Sequence, residues 1–236
     1  MSIKIENEEI MGWEAAIRGM RNPMNSWEKS DSLFGRNLSI PYSENNPVLL
    51  IDSNGVETYI GNSDLDLMMR LRNAGSEHRK FMRMITVYID ITAPLYWWKE
   101  FDTYKVGTVA NSCSTMHKIH AKEFTLEDFS CEHLIDEDES YWKTQFNCGI
   151  LPVLNDAREK YLETKDKKYW WQMIQLLPSS YNQKRTVMLN YEVLATMYHQ
   201  RKNHKLDEWR ELCSWMETLT YSELITGNSR NVYFEK

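Results

Sequence analysis

RMITVYIDITAPLYWWKEFDTYKVGTVANSCSTMH, residues Arg83 to His117, is the stretch whose reading decides the fold. Ile85-Thr86-Val87-Tyr88-Ile89-Asp90-Ile91-Thr92 alternates aliphatic with polar or aromatic residues. Period-two alternation marks a strand with one face in a core. Ala93-Pro94 ends that strand and opens a helix, where proline at the first position costs nothing. Tyr96, Trp97, Trp98 and Phe101 give the helix a heavy aromatic load. Gly107 to His117 then carries Thr108, Asn111, Ser112, Ser114, Thr115 and His117 and reads as a polar loop. Small hydroxyl and amide side chains serve loops and caps, and they also suit a pocket for a polar ligand.

Upstream, Ile10, Trp13, Ile17 and Met20 recur at helical spacing and stop near Asn22-Pro23, which predicts a short helix. Asn25 to Pro47 reads as a long irregular loop. Val48 to Ile51 and Val56 to Ile60 flank Asp52-Ser53-Asn54-Gly55, a hairpin signal. A helix from Asp64 to Asn73 follows, with Ser63 or Asn62 as its cap and Gly75 as its stop.

Downstream, Thr125-Leu126-Glu127-Asp128 reads as a capped helical turn, and Cys131 to Glu139 as an acidic connection. Tyr141 to Glu163 is a helix that Pro152 should kink or split near Gly149. Tyr169 to Leu177 is helical up to Pro178, and Ser179 to Gln183 forms a loop. Thr186 to Gln200 reads as a strong helix, and Leu206 to Leu219 as the last substantial one. The expectation is one α+β domain over residues 1–236, with a mixed or antiparallel sheet and a helical C-terminal half.

A net charge of -6 argues against a general nucleic-acid binder. Twelve per cent aromatic residues, with nine tryptophans, is high and reads first as packing. No apolar run approaches the roughly 18 residues of a membrane span, and Met1 to Glu9 lacks a signal peptide's apolar region. Cys113, Cys131, Cys148 and Cys213 are scattered and read as reduced thiols in a cytoplasmic setting. His117, His120, Cys131 and His133 have no metal-ligand spacing, so no metal is expected. No Gly-rich phosphate loop, His-Glu-x-x-His helix or Gly-x-Ser-x-Gly elbow is present.

Three segments together resemble the flavin-dependent thymidylate synthase family. That family has a strand ending in Ala-Pro, a helix, and the signature Arg-His-Arg-x-x-Ser-x-Asn-Glu-x-Ser-x-Arg. Here Ala93-Pro94 leads through Leu95 to Asp102 into Thr103-Tyr104-Lys105 without a gap. His78 stands where family members place a His ahead of the strand. Leu177-Pro178, Asn190 and, eleven positions on, Arg201 match the family's later intervals. The resemblance runs from about Asn62 to Leu224.

The resemblance implies a homotetramer with shared sites that binds FAD and dUMP. It implies methylation of dUMP with methylenetetrahydrofolate, NADPH reducing the flavin. By the same resemblance His78, Lys105 and Asn190 fall in the cofactor region. Glu100, where a Gln usually contacts the nucleotide, falls with Tyr104, Asn111, Ser112, Ser114 and Arg201 in the substrate region. Arg201 would pair with the phosphate, a task suited to a guanidinium fork.

The signature has changed. Arg-His-Arg is Thr103-Tyr104-Lys105, the first Ser is Thr108, and Asn-Glu is Ala110-Asn111. The second Ser is Cys113, the last Arg is Thr115, and Glu192 replaces a basic residue two places after Asn190. Each lost Arg removes phosphate contacts worth about 1.5–3 kcal/mol. Arg18, Arg21, Lys99, Lys105 and Arg185 are the cations placed to compensate. The alternative reading is a catalytically altered homologue that binds a different nucleotide without flavin chemistry. On the residues alone, Asn190 and Ser114 also read as side chains that satisfy nearby backbone groups.

Overall fold

A computed structural model describes residues 3–39, 49–51, 55–135 and 141–227. The chain divides into two compact units. One holds Met1–Ile5, Asp90–Thr103 and Ala110–Thr186; the other holds Glu6–Ile89, Tyr104–Val109 and Val187–Lys236.

The predicted strand is β5 (Thr86–Pro94), with Val87, Ile89, Ile91 and Ala93 buried on one face. The strand runs through Pro94, which takes the extended N-cap position just ahead of α3 (Leu95–Phe101) and not the helix's first position. Trp97, Trp98 and Phe101 are buried and meet with ring centroids 4.8 to 5.2 Å apart. The aromatic load of α3 is core packing.

Four elements differ from the sequence reading. The N-terminus forms β1 (Lys4–Met11) ahead of α1 (Trp13–Arg21). Most of β1 is polar and exposed, so it carries no clean alternation. Gly12 joins them at φ 96, where an added Cβ would lie 2.0 Å from the Met84 carbonyl oxygen. The loop read over Asn25 to Pro47 contains a 3₁₀ turn (Trp27–Lys29) and β2 (Leu33–Gly35); residues 40–48 lie outside the described residues. The polar loop Gly107 to His117 contains the exposed strand β6 (Val109–Ser112).

The fourth correction bears on the site. Residues 186–200 are not one helix but the end of β7 (Asn182–Asn190) followed by α7 (Tyr191–Arg201). Val187 and Leu189 are buried on the strand, and Asn190 then caps the helix with its side chain. A short apolar run fits either period, and the cap decides the boundary. Strand order in the larger sheet is β1-β5-β7-β6.

β3 (Leu49–Ile51) and β4 (Glu57–Tyr59) form the expected hairpin, Leu49 opposite Tyr59, and β2 pairs antiparallel with the other edge of β4. The turn residues 52–54 lie outside the described residues. α2 (Asn62–Asn73) starts where expected, but neither Asn62 nor Ser63 caps it. Asp31 does so from 32 residues away, accepting from the backbone N–H of Ser63 at 2.8 Å and of Asp64 at 3.0 Å.

In the first unit, Thr125 and Asp128 form the expected capping box. Pro152 splits the long helix into α4 (Tyr141–Gln145), a π-turn (Phe146–Ile150) and α5 (Leu151–Thr164). α6 (Lys167–Leu176) packs on α5 through Leu154, Ala157 and Met173, over Phe124, Phe129 and Phe146. In the second unit α7 packs against α8 (Asp207–Thr218) and α9 (Glu223–Thr226). Among the described residues, no helix is long and apolar enough to cross a membrane.

Candidate functional site

In the unit built on α7, Asn190 and Arg201 both reach the segment Tyr104–Val109. Asn190 is buried at the start of α7. Its Oδ1 accepts from Val193 N–H at 3.0 Å, and its Nδ2 donates to the Gly107 carbonyl at 3.4 Å. Gly107 has φ +81, and an added Cβ would come within 2.7 Å of that Nδ2. Asn190 therefore caps one element and anchors another.

At the far end of α7, Arg201 Nε donates to the Tyr104 hydroxyl at 2.9 Å. That hydroxyl donates in turn to Gln200 Oε1 at 2.8 Å. The Arg201 guanidinium lies 4.7 Å from the Trp209 ring centroid, and Tyr104 meets Trp209 edge-on. The signature segment is thus tied to both ends of one helix, by an amide at Gly107 and a guanidinium at Tyr104. Trp209 and Gln200 were not singled out in the sequence. The usable signal was Trp209 in the acidic helix eight residues beyond Arg201.

Glu192, in place of the expected basic residue, binds Arg83 through Nε and through a second contact at 3.2 Å, and pairs with Arg79 at 3.5 Å. One carboxylate therefore engages two cations. His78 is exposed and begins the 3₁₀ turn that contains both arginines. Lys105 is exposed. Arg21, a candidate compensating cation, is buried on Asp64 and faces no ligand surface.

The remaining candidates lie in the other unit. Glu100 is half-buried on α3, its carbonyl accepting from Thr103. Asn111 and Ser112 are exposed on β6. Ser114 Oγ accepts from the N–H groups of Met116 and His117 at 3.2 and 2.8 Å, closing a turn. Arg185 lies over the Trp98 ring at 4.1 Å and donates to Asp102 Oδ1 at 2.7 Å and to Gln183 Oε1. Its charge is matched locally.

The donor set of this unit offers cations suited to a phosphate. Tyr104 and Trp209 orient the Arg201 guanidinium. The Asn190 amide is committed to backbone groups, and Lys105 is the one cation kept of the Arg-His-Arg positions. Glu192 sets one negative charge against the two positive charges of Arg79 and Arg83, so one positive charge is left at this turn. Among the described residues, no group of three or more His, Cys, Asp or Glu is placed to hold a metal ion.

No family model matches the chain, and no curated protein matches it in sequence. The architecture is nevertheless defined: this is the mixed α+β fold of flavin-dependent thymidylate synthases. A crystal structure of ThyX from Helicobacter pylori complexed with FAD and dUMP matches at TM-score 0.62 and 15% identity, over 96% of this chain and 99% of that one. A second structure of the same enzyme with FAD and dUMP gives TM-score 0.63 and 14% identity, over 96% and 98%. The likeness runs nearly end to end in both partners.

Proposed function

We propose that this chain binds a pyrimidine nucleotide of the dUMP class, with its phosphate on Arg201, as one domain of flavin-dependent thymidylate synthase type. The observation that carries this reading is the way Arg201 is held. Tyr104 fixes its Nε, and Trp209 supports its plane. A guanidinium ordered before binding loses little rotamer freedom when a phosphate arrives. Tyr104, Asn111, Ser112, Ser114 and Glu100 are the polar groups that the resemblance assigns to the substrate region. The replacement of Arg-His-Arg by Thr103-Tyr104-Lys105, which keeps one cation, supports nucleotide binding without flavin chemistry.

A second reading is the complete reaction, dUMP methylation with methylenetetrahydrofolate, FAD and NADPH, with His78, Lys105 and Asn190 at the cofactor. It is favoured by the near-complete overlap with a fold that holds FAD and dUMP in ThyX. A homotetramer with shared sites and a cytoplasmic location belong to either reading. The deciding experiment incubates purified protein with FAD, removes free flavin by gel filtration, records the visible spectrum, and titrates dUMP by calorimetry. The first reading expects dUMP heat without retained flavin absorbance. About one flavin per subunit would establish the second, and absence of both signals would refute nucleotide binding in either form.

A further inference from the structure

The unit that carries Arg201 also holds a cavity of about 670 Å³ with a different chemistry. Its size lies within the range of small-molecule sites, roughly 300–1,000 Å³. The end of β1 and the start of α1 line one side, contributing Glu8, Glu9 and Glu14. Phe34, Leu50 and Ile51 from the small sheet line the cavity as well.

Glu9 and Glu14 line it with one cation, Arg18, which lies 3.8 Å from Glu14; Glu8, next to Glu9 on the strand, turns its side chain to the other face. Glu8 is oriented by the indole N–H of Trp215 at 2.9 Å. Glu9 has no ion-pair partner among the described residues. Ile51 is 64% exposed and Met11 40%, so apolar surface stays open beside Glu9. An anionic ligand is repelled here, and a small inorganic cation leaves the apolar wall uncovered. A ligand with a positive head and an apolar body satisfies both sides at once, the head on carboxylate and the body on Phe34, Leu50 and Ile51.

We propose that this cavity binds an organic cation, an amine or amidine carried on an apolar or aromatic body. The inference is independent of the nucleotide reading, because it uses neither Arg201 nor Tyr104.

Benzamidine serves as the probe and benzoate as the control of the same shape and opposite charge, both titrated by calorimetry into the full chain. The expected result is saturable binding of one benzamidine per chain and none of benzoate. Affinity falls about tenfold in Glu9→Gln/Glu14→Gln, which removes two charges. Ile51→Arg, which brings a resident cation to the apolar wall, abolishes binding. Glu9, Glu14 and Ile51 are exposed, so the variants should melt with the wild type, and a melting curve verifies this. Absence of saturable benzamidine binding up to about 10 mM, equal binding of benzoate, or undiminished binding in the folded variants would each overturn the proposal.

Discussion

Asp64→Asn is the substitution with the largest consequence worked from the fold. Asp64 is fully buried and pairs with Arg21, itself 3% exposed, at 2.6 Å. Its other oxygen accepts from Ser30 Oγ at 2.7 Å, Ser32 Oγ at 2.6 Å, Ser32 N–H at 3.1 Å and Asp31 N–H at 3.2 Å. One carboxylate thereby fixes the 30–32 segment to α1 and to the first turn of α2. Asparagine keeps the shape but removes the charge and turns an acceptor into a donor facing donors. Breaking a buried pair by one partner costs about 3–5 kcal/mol, because the other charge stays buried. For a chain of this size that is a fall in Tm of roughly 10 °C.

The pH dependence of this group follows from the same contacts. Burial alone would raise the Asp64 carboxyl; hydrogen bonds from Ser32, Ser30 and Arg21 outweigh it and hold the pKa below 3.8. The folded carboxyl therefore gives up its proton more readily than the unfolded one. Its contribution is complete above about pH 4 and is lost as pH falls through the folded value. Thermal melts followed by circular dichroism from pH 7 to acid should show a lower Tm and a shallower acid limb for Asp64→Asn. Arg21→Met/Asp64→Leu should recover most of the loss. A variant melting within about 1 °C of wild type, or with an unchanged acid limb, would refute the reasoning.

Two further perturbations test the frame around α7. Gly107→Ala places a Cβ against Asn190 at positive φ and should cost about 1–2 kcal/mol in urea unfolding; Asn190→Ala should cost about 1 kcal/mol as a lost cap. Because they share the contact, the double variant should lose less than the sum, and strict additivity would contradict the packing. His199 is held below its ordinary value of 6.5 by burial and by Arg72, Lys202 and Arg79, and its Nε2 accepts from Arg72 at 2.8 Å. The unfolded ring takes up its proton first as pH falls below 6.5, so stability should decline there, and His199→Gln should flatten that decline in melts between pH 7 and pH 5.

What the sequence shows plainly is what local signals decide. The alternation of Ile85 to Thr92, the Ala93-Pro94 break, the Asn54-Gly55 hairpin, the Thr125/Asp128 box and the split at Pro152 all rest on residues within a few positions of each other. What it hides is what distant contacts decide. The cap of α2 comes from Asp31, the strand nature of β1 comes from its place in the sheet, and Val187 to Leu189 fits either period until Asn190 caps α7. In the site, spacing brings out Asn190, Tyr104 and Arg201 but not their use. The Asn190 amide serves Gly107 and Val193, and Arg201 rests on Tyr104 and Trp209. Side-chain partners across 80 to 100 residues leave no periodicity to read.

Binding of dUMP to wild type and to Arg201→Ala, with uridine as the ligand lacking a phosphate, tests the central claim most directly. Wild type should bind dUMP about 10- to 100-fold more tightly than Arg201→Ala does, the equivalent of about 1.5–3 kcal/mol, and uridine should not distinguish the two proteins. Equal affinity of dUMP for both proteins, with Arg201→Ala folded, would show that the guanidinium on Trp209 is a structural cation and that the nucleotide reading is wrong.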